Sequence, residues 1–135
     1  MSILALVSHE ERVAFERKAA EHRLDVVVIE SPAELTELGR AGKRFSVAIL
    51  PASLPETGIW ALWGQVQLLN PRPEVLVYAR SADFATWSGV LEAGGYDILL
   101  EPFSAEQLQI AVQSAQESFD QRIADEAASQ TGPAA

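Results

Sequence analysis

The 135-residue chain contains no cysteine, which excludes disulfide staples, thiolate nucleophiles and zinc sites built on cysteine. A cytoplasmic setting is consistent with that absence and is the expected localisation. Basic residues are scarce: ten Lys and Arg face 19 Asp and Glu, a formal net charge of -9, and no segment gathers the cations into a stripe. Phosphate neutralisation supplies most non-specific affinity for nucleic acids, so no nucleic-acid partner is expected. No apolar run approaches the roughly 20 residues that span a bilayer, and no membrane insertion is expected. The opening "MSILALVSHEE" has no basic region before its apolar run and no small-residue cleavage site after it, unlike a signal peptide. Only two histidines are present. His9 and His22 fall at opposite ends of one predicted helix, so without cysteine they suggest no metal site. No Gly-rich phosphate loop follows the first apolar run, and no cofactor is expected.

What is present is a repeating order. Five short runs, "ILALV" (3–7), "DVVVIE" (25–30), "SVAIL" (46–50), "EVLVY" (74–78) and "DILL" (97–100), are continuously apolar at their centres rather than alternating. That is the pattern of parallel strands covered on both faces. Stretches of helical length separate them. "SPAELTELGRAG" carries Ser31 as N-cap, Pro32 in the first turn, Glu34 three residues after Ser31 and a terminal glycine. "GIWALWGQVQLLNP" puts Ile59, Leu62, Trp63, Val66 and Leu69 on one stripe, and "SADFATWSGVLEAGG" does the same for Phe84, Trp87 and Leu91. A last helix opens at the capping box "SAEQ" and buries Leu108, Ala111, Val112, Ala115 and Phe119. Strand and helix alternating five times predict an α/β fold, a doubly wound five-stranded parallel sheet between two helical layers. Residues 1–118 form the domain, and 119–135 extend the last helix into a flexible tail.

In such a sheet, chemistry belongs at the carboxyl ends of the strands. Those positions are Ser8 and His9, Pro51, Ala79 and Arg80, and Glu101 with Pro102. A nucleophile, base and orienter built from Ser8, His9 and Glu101 is disfavoured, because adjacent residues leave a strand in different directions and no Gly-x-Ser-x-Gly elbow is present. No catalytic residue is assigned and the chain is not read as an enzyme.

The blocks "ILALVSHEE", "SVAILPASLPETG", "PEVLVYAR" and "EAGGYDILLEPFSAEQL" resemble the successive blocks of response-regulator receiver domains, over residues 2 to about 115. The resemblance implies the flavodoxin-like receiver fold, with strand order 2-1-3-4-5, and a role in bacterial two-component phosphorelay signalling. In that family an acidic pair after the first strand holds Mg²⁺ and an aspartate ending the third accepts phosphate. A hydroxyl residue follows the fourth strand, and a lysine precedes proline after the fifth. Those positions fall here on Ser8 and His9, Pro51, Ala79 and Glu101. The family's aromatic switch falls on Ile98. From Arg44 to Pro55 there is no acid, so no small shift of register restores an acceptor.

The resemblance therefore implies a degenerate pseudo-receiver without a phosphoacceptor, with Glu101–Pro102 expected to be cis. With no output domain following, it is expected to stand alone and act through protein–protein contact, with a signalling protein as partner. Trp60, Trp87, Gln109 and Gln113 are the candidate interaction residues. Two alternatives stay open: a small-ligand sensor using the vacated crevice, with Glu101 or His9 setting its charge or pH response, and a scaffolding homodimer. A sensor predicts a pocket near Pro51; an adaptor predicts that Pro51 and Ala79 fill that space.

Overall fold

The computed structural model describes residues 2–51, 59–79, 88, 89, 91, 92 and 94–130, with the side chains of 59–62 and 130 outside that description. Strands β1 (Ser2–Leu6), β2 (Val26–Ile29), β3 (Phe45–Pro51), β4 (Glu74–Ala79) and β5 (Asp97–Leu100) alternate with helices. Among the described residues the helices with full bounds are α1 (His9–Glu21), α2 (Pro32–Arg40), α3 (Ile59–Gln67) and α4 (Ala105–Gln130). The strands form one parallel sheet in the order β2-β1-β3-β4-β5. The expected α/β doubly wound sheet with order 2-1-3-4-5 is the fold observed.

The sheet has a core on each side because its central strands are apolar at nearly every position, buried Ser46 of β3 being the polar exception inside them. All seven residues of β3, Phe45 to Pro51, are buried. From Val47 onward alternate residues serve opposite layers; before it the β1–β3 register shifts, which puts Phe45 on the same side as Ala48. Val47 and Ile49 join Phe15, Ala19, Leu108 and Val112 on the α1/α4 side. Phe45, Ala48 and Leu50 join Leu35, Trp63 and Val66 on the α2/α3 side. The edges differ from the expectation of strands covered on both faces. Three of four residues of β2 are only half-buried, and in β5 only Leu99 is buried while Leu100 is 52% exposed. An edge strand has a neighbour on one side only, and an apolar run does not reveal where in the sheet it lies.

Helix boundaries follow local chemistry. The Glu34 carboxylate accepts from the backbone N–H groups of Glu30 and Ser31 at 2.6 and 3.1 Å, completing the capping box that starts α2. After α2, Gly42 takes φ +76°, a region that strains residues with a Cβ. For α4, the Ser104 hydroxyl accepts from Gln107 N–H at 3.1 Å and the Gln107 side chain accepts from Ser104 N–H at 2.8 Å. From that start, Leu108, Val112, Ala115 and Phe119 are buried along one stripe, with Ala111 partly buried. The helix packs on the sheet beyond residue 118: Arg122 pairs with Glu74 at 3.3 Å and donates to the carbonyl of Arg72. Leu91, placed on one stripe with Phe84 and Trp87, is 49% exposed; Phe84 and Trp87 lie outside the described residues.

Candidate functional site

The carboxyl ends of β1, β3, β4 and β5 meet along one edge of the sheet, so the topology brings Ser8, Pro51, Ala79 and Glu101 to the same end of the molecule. Their side chains do not form one constellation. Ser8 is the N-cap of α1, its hydroxyl accepting from Glu11 N–H at 3.3 Å. His9 begins the helix, and its Nδ1 lies 3.0 Å from Oε1 of Glu30 at the end of β2. Glu30 also accepts from Arg12 Nη1 at 2.7 Å, while Arg12 Nε donates to Glu16 at 2.7 Å. Arg12 holds the Glu30 carboxyl below its ordinary range, against an opposing effect of desolvation and with a smaller contribution from His9. Ser8 is thus occupied in a cap and His9 turns towards β2.

Pro51 ends β3, buried and in register with Tyr78 of β4. It has neither a backbone N–H nor a group able to carry phosphate or bind a cation. Ala79 is 8% exposed, and its carbonyl accepts the Glu101 N–H at 2.8 Å. The Glu101–Pro102 bond is cis, as expected; Asn70–Pro71 is cis as well. Ile98 is half-buried against the α2/α3 core. Gln109 is half-buried and Gln113 exposed on α4. Arg80, Trp87 and the Trp60 side chain lie outside the described residues.

A residue that sequence reasoning left in the strand has a larger part at this end. The Tyr78 hydroxyl donates to the Leu6 carbonyl at 2.8 Å, tying β4 to β1 across the end of β3. Burial pushes its phenol well above the ordinary tyrosine range, and the negative charges of Glu11 and Glu101 push it further in the same direction. Beside it lies a cavity of about 420 Å³ lined by Val7, Glu11, Ala14, Phe15, Lys18, Tyr78, Glu101, Pro102 and Phe103. Lys18 Nζ sits 4.5 Å from the centre of the Phe103 ring. Of the described strand-end residues named from sequence, Glu101 and Pro102 line this cavity. The pocket lies on the α1 side, between that helix and the end of β5; the residues that follow Pro51, where a ligand sensor was expected to place a pocket, lie outside the described residues. The Glu11-Phe15-Lys18 spacing on α1 was the signal available to find it, since residues four and seven apart share a helix face.

No family profile and no curated protein sequence matches the chain. Solved structures do. The receiver domain of a LuxO-type repressor from Vibrio parahaemolyticus superposes with a TM-score of 0.75 at 14% identity, covering 93% of this chain and 95% of that one. A protein described as adenylate cyclase from Rhodopirellula baltica gives 0.82 at 16% identity, covering 97% and 98%. The receiver domain of a sensor histidine kinase from Pseudomonas aeruginosa, with magnesium in its active-site cleft, gives 0.70 at 16% identity, covering 86% and 97%. The fold is that of CheY-like receiver domains.

Proposed function

We propose that this protein is a receiver-type signalling module of a two-component pathway that works without aspartyl phosphorylation, through contact with another protein. The observation that carries this reading is Pro51: the last residue of β3, where receivers present a carboxylate, is a buried imino acid. The neighbouring positions support it. An acidic pair after β1 is represented by Ser8, committed to the α1 cap, and His9, paired with Glu30. Ala79 supplies no hydroxyl, and Glu101 carries a negative charge where a phosphoryl group needs a positive one. The magnesium that the fold family implies does not fit these residues. Mg²⁺ takes hard oxygens in near-octahedral array, and among the described residues no three His, Asp or Glu side chains gather to hold a metal.

A module of this kind has no reaction to perform, so its surface is its output. Signalling without phosphate requires that one conformation dominate, and the altered hydroxyl and switch positions, Ala79 and Ile98, remove the coupling that would otherwise wait for phosphate. Gln109 and Gln113 on α4 belong to the surface available to a partner. The setting is cytoplasmic, and no helix among the described residues is long and apolar enough to cross a membrane.

Capture from a lysate of the source cells, with and without acetyl phosphate and Mg²⁺, tests both halves of the proposal. The expected result is a signalling protein retained equally under both conditions, with no hydroxylamine-labile mass gain on the bait. A mass gain, or a partner set that changes with the phosphodonor, would overturn phosphate independence. An empty eluate, where a phosphorylatable receiver retains its kinase, would overturn the protein-contact reading.

A further inference from the structure

The cavity between α1 and the end of β5 has the makings of a ligand site that the signalling reading does not require. Its volume of about 420 Å³ falls within the range of small-molecule sites, roughly 300–1,000 Å³. Aromatic rings from three parts of the chain, Phe15, Tyr78 and Phe103, supply its apolar wall, and the polar groups are few. Glu11 comes from the first turn of α1, Glu101 follows β5, and Lys18 lies two turns along α1 from Glu11.

Two observations fix the sign of the charge this cavity prefers. First, among the described residues the lining carries two carboxylates, Glu11 and the already engaged Glu101, against one ammonium, in a chain whose net charge is -9. The phenol of Tyr78 senses both carboxylates, since each opposes its ionisation. Second, the wall already holds a cation: Lys18 Nζ lies 4.5 Å from the Phe103 ring centre, within the distance at which a ring face attracts positive charge. That ammonium is tethered by a four-carbon stem to the cavity's own rim, so it can swing away.

We propose that this cavity binds a small organic cation, an ammonium group carried on an aromatic or branched apolar body. The body packs among Phe15, Tyr78 and Phe103, and the ammonium lies towards Glu11 and Glu101. Lys18 is its intramolecular competitor for the Phe103 face. The proposal stands apart from the question of aspartyl phosphorylation, and either can fail without the other.

The test is an NMR titration of the full chain with 2-phenylethylamine, using 3-phenylpropionate as a probe of similar body and opposite charge. The amine is expected to give saturable shifts centred on Val7, Phe15 and Phe103, with at least tenfold preference over the acid. Glu11→Gln is expected to weaken amine binding about tenfold, the equivalent of one charge-assisted contact of about 1.4 kcal/mol. Lys18→Met should tighten it about two- to fivefold, as removal of a cation–π competitor worth ~0.5–1 kcal/mol predicts. Phe103→Leu keeps apolar bulk and should weaken the amine while leaving the small response to the acid unchanged. Circular dichroism melts verify that each variant is folded. No saturable shift with the amine, equal response to the acid, or unchanged binding in folded Glu11→Gln and Phe103→Leu would overturn the proposal.

Discussion

Tyr78 is the residue on which the strand-end region depends most directly. Its hydroxyl is buried and donates to the carbonyl of Leu6, so Tyr78→Phe removes one partner of a buried hydrogen bond and leaves that acceptor short. The expected cost is about 1–2 kcal/mol, measured by urea unfolding with the slope unchanged. A variant as stable as the parent would show that the bond contributes nothing net. The Arg12–Glu30 pair makes a prediction about pH instead. Glu30 has a lowered pKa when folded, so its contribution is present above the ordinary carboxylate value of 4.5 and is lost as pH falls through the folded value. The melting temperatures of the wild type and Glu30→Gln should therefore converge as pH drops from about 5 to about 3. A constant gap would assign the difference to packing rather than charge. His9, by contrast, is 88% exposed in its side chain and reaches Glu30 from outside, so His9→Gln should change stability by no more than about 0.5 kcal/mol.

Among the elements, α4 shows how much a helix contributes once it has a proper start and one continuous apolar stripe. Phe119 lies four turns from its beginning, is 2% exposed and carries the Arg122 guanidinium 5.4 Å from its ring. Phe119→Ala is expected to cost about 3–5 kcal/mol, whereas Ile110→Gln, at a position 66% exposed, should stay within about 0.5 kcal/mol. Denaturant unfolding of the two variants checks the contrast; equal losses would show that α4 does not pack as described. The strands and most helix starts were legible for physical reasons: central parallel strands form near-continuous apolar runs, and capping residues announce themselves by type and spacing. Burial at the sheet edges was not, because "DILL" reads alike whether or not a neighbour covers it. At the candidate site the topology placed Ser8, Pro51, Ala79 and Glu101 at one end, but not their side-chain partners. Ser8 could have been read as a cap from the Ser-x-x-Glu spacing of Ser8 and Glu11. The cavity could not be read as a whole, since Glu11 and Lys18 sit in a helix dominated by charge and meet Tyr78 and Phe103 only through the fold.

For the whole molecule the decisive quantity is charge. The chain carries nine more acidic than basic groups, and three of its ten cations, Arg40, Lys43 and Arg44, gather around a groove beside the exposed Leu68. Cations held there do little to neutralise acids elsewhere. Folding concentrates the excess negative charge into a smaller volume than the unfolded chain occupies, and this self-repulsion lowers stability. Salt acts on both sides of the balance. It weakens exposed pairs such as Arg12–Glu16, each worth about 0–1 kcal/mol, and has less effect on the more buried Arg122–Glu74 pair. It also screens the long-range repulsion of the uncompensated charges as the Debye length shrinks from about 30 Å at 0.01 M to about 8 Å at 0.15 M. With nine more acidic than basic groups, relief of repulsion is expected to exceed the loss of pairs, so the melting temperature should rise by a few degrees over that range of sodium chloride. A fall would mean that attractive pairs outweigh the net charge. The same scan with Lys43→Glu separates local from global effects. Its net charge is more negative by two, yet it relieves crowding among the three cations, so a steeper salt dependence would show that the molecule's total charge, rather than the cluster, governs its stability.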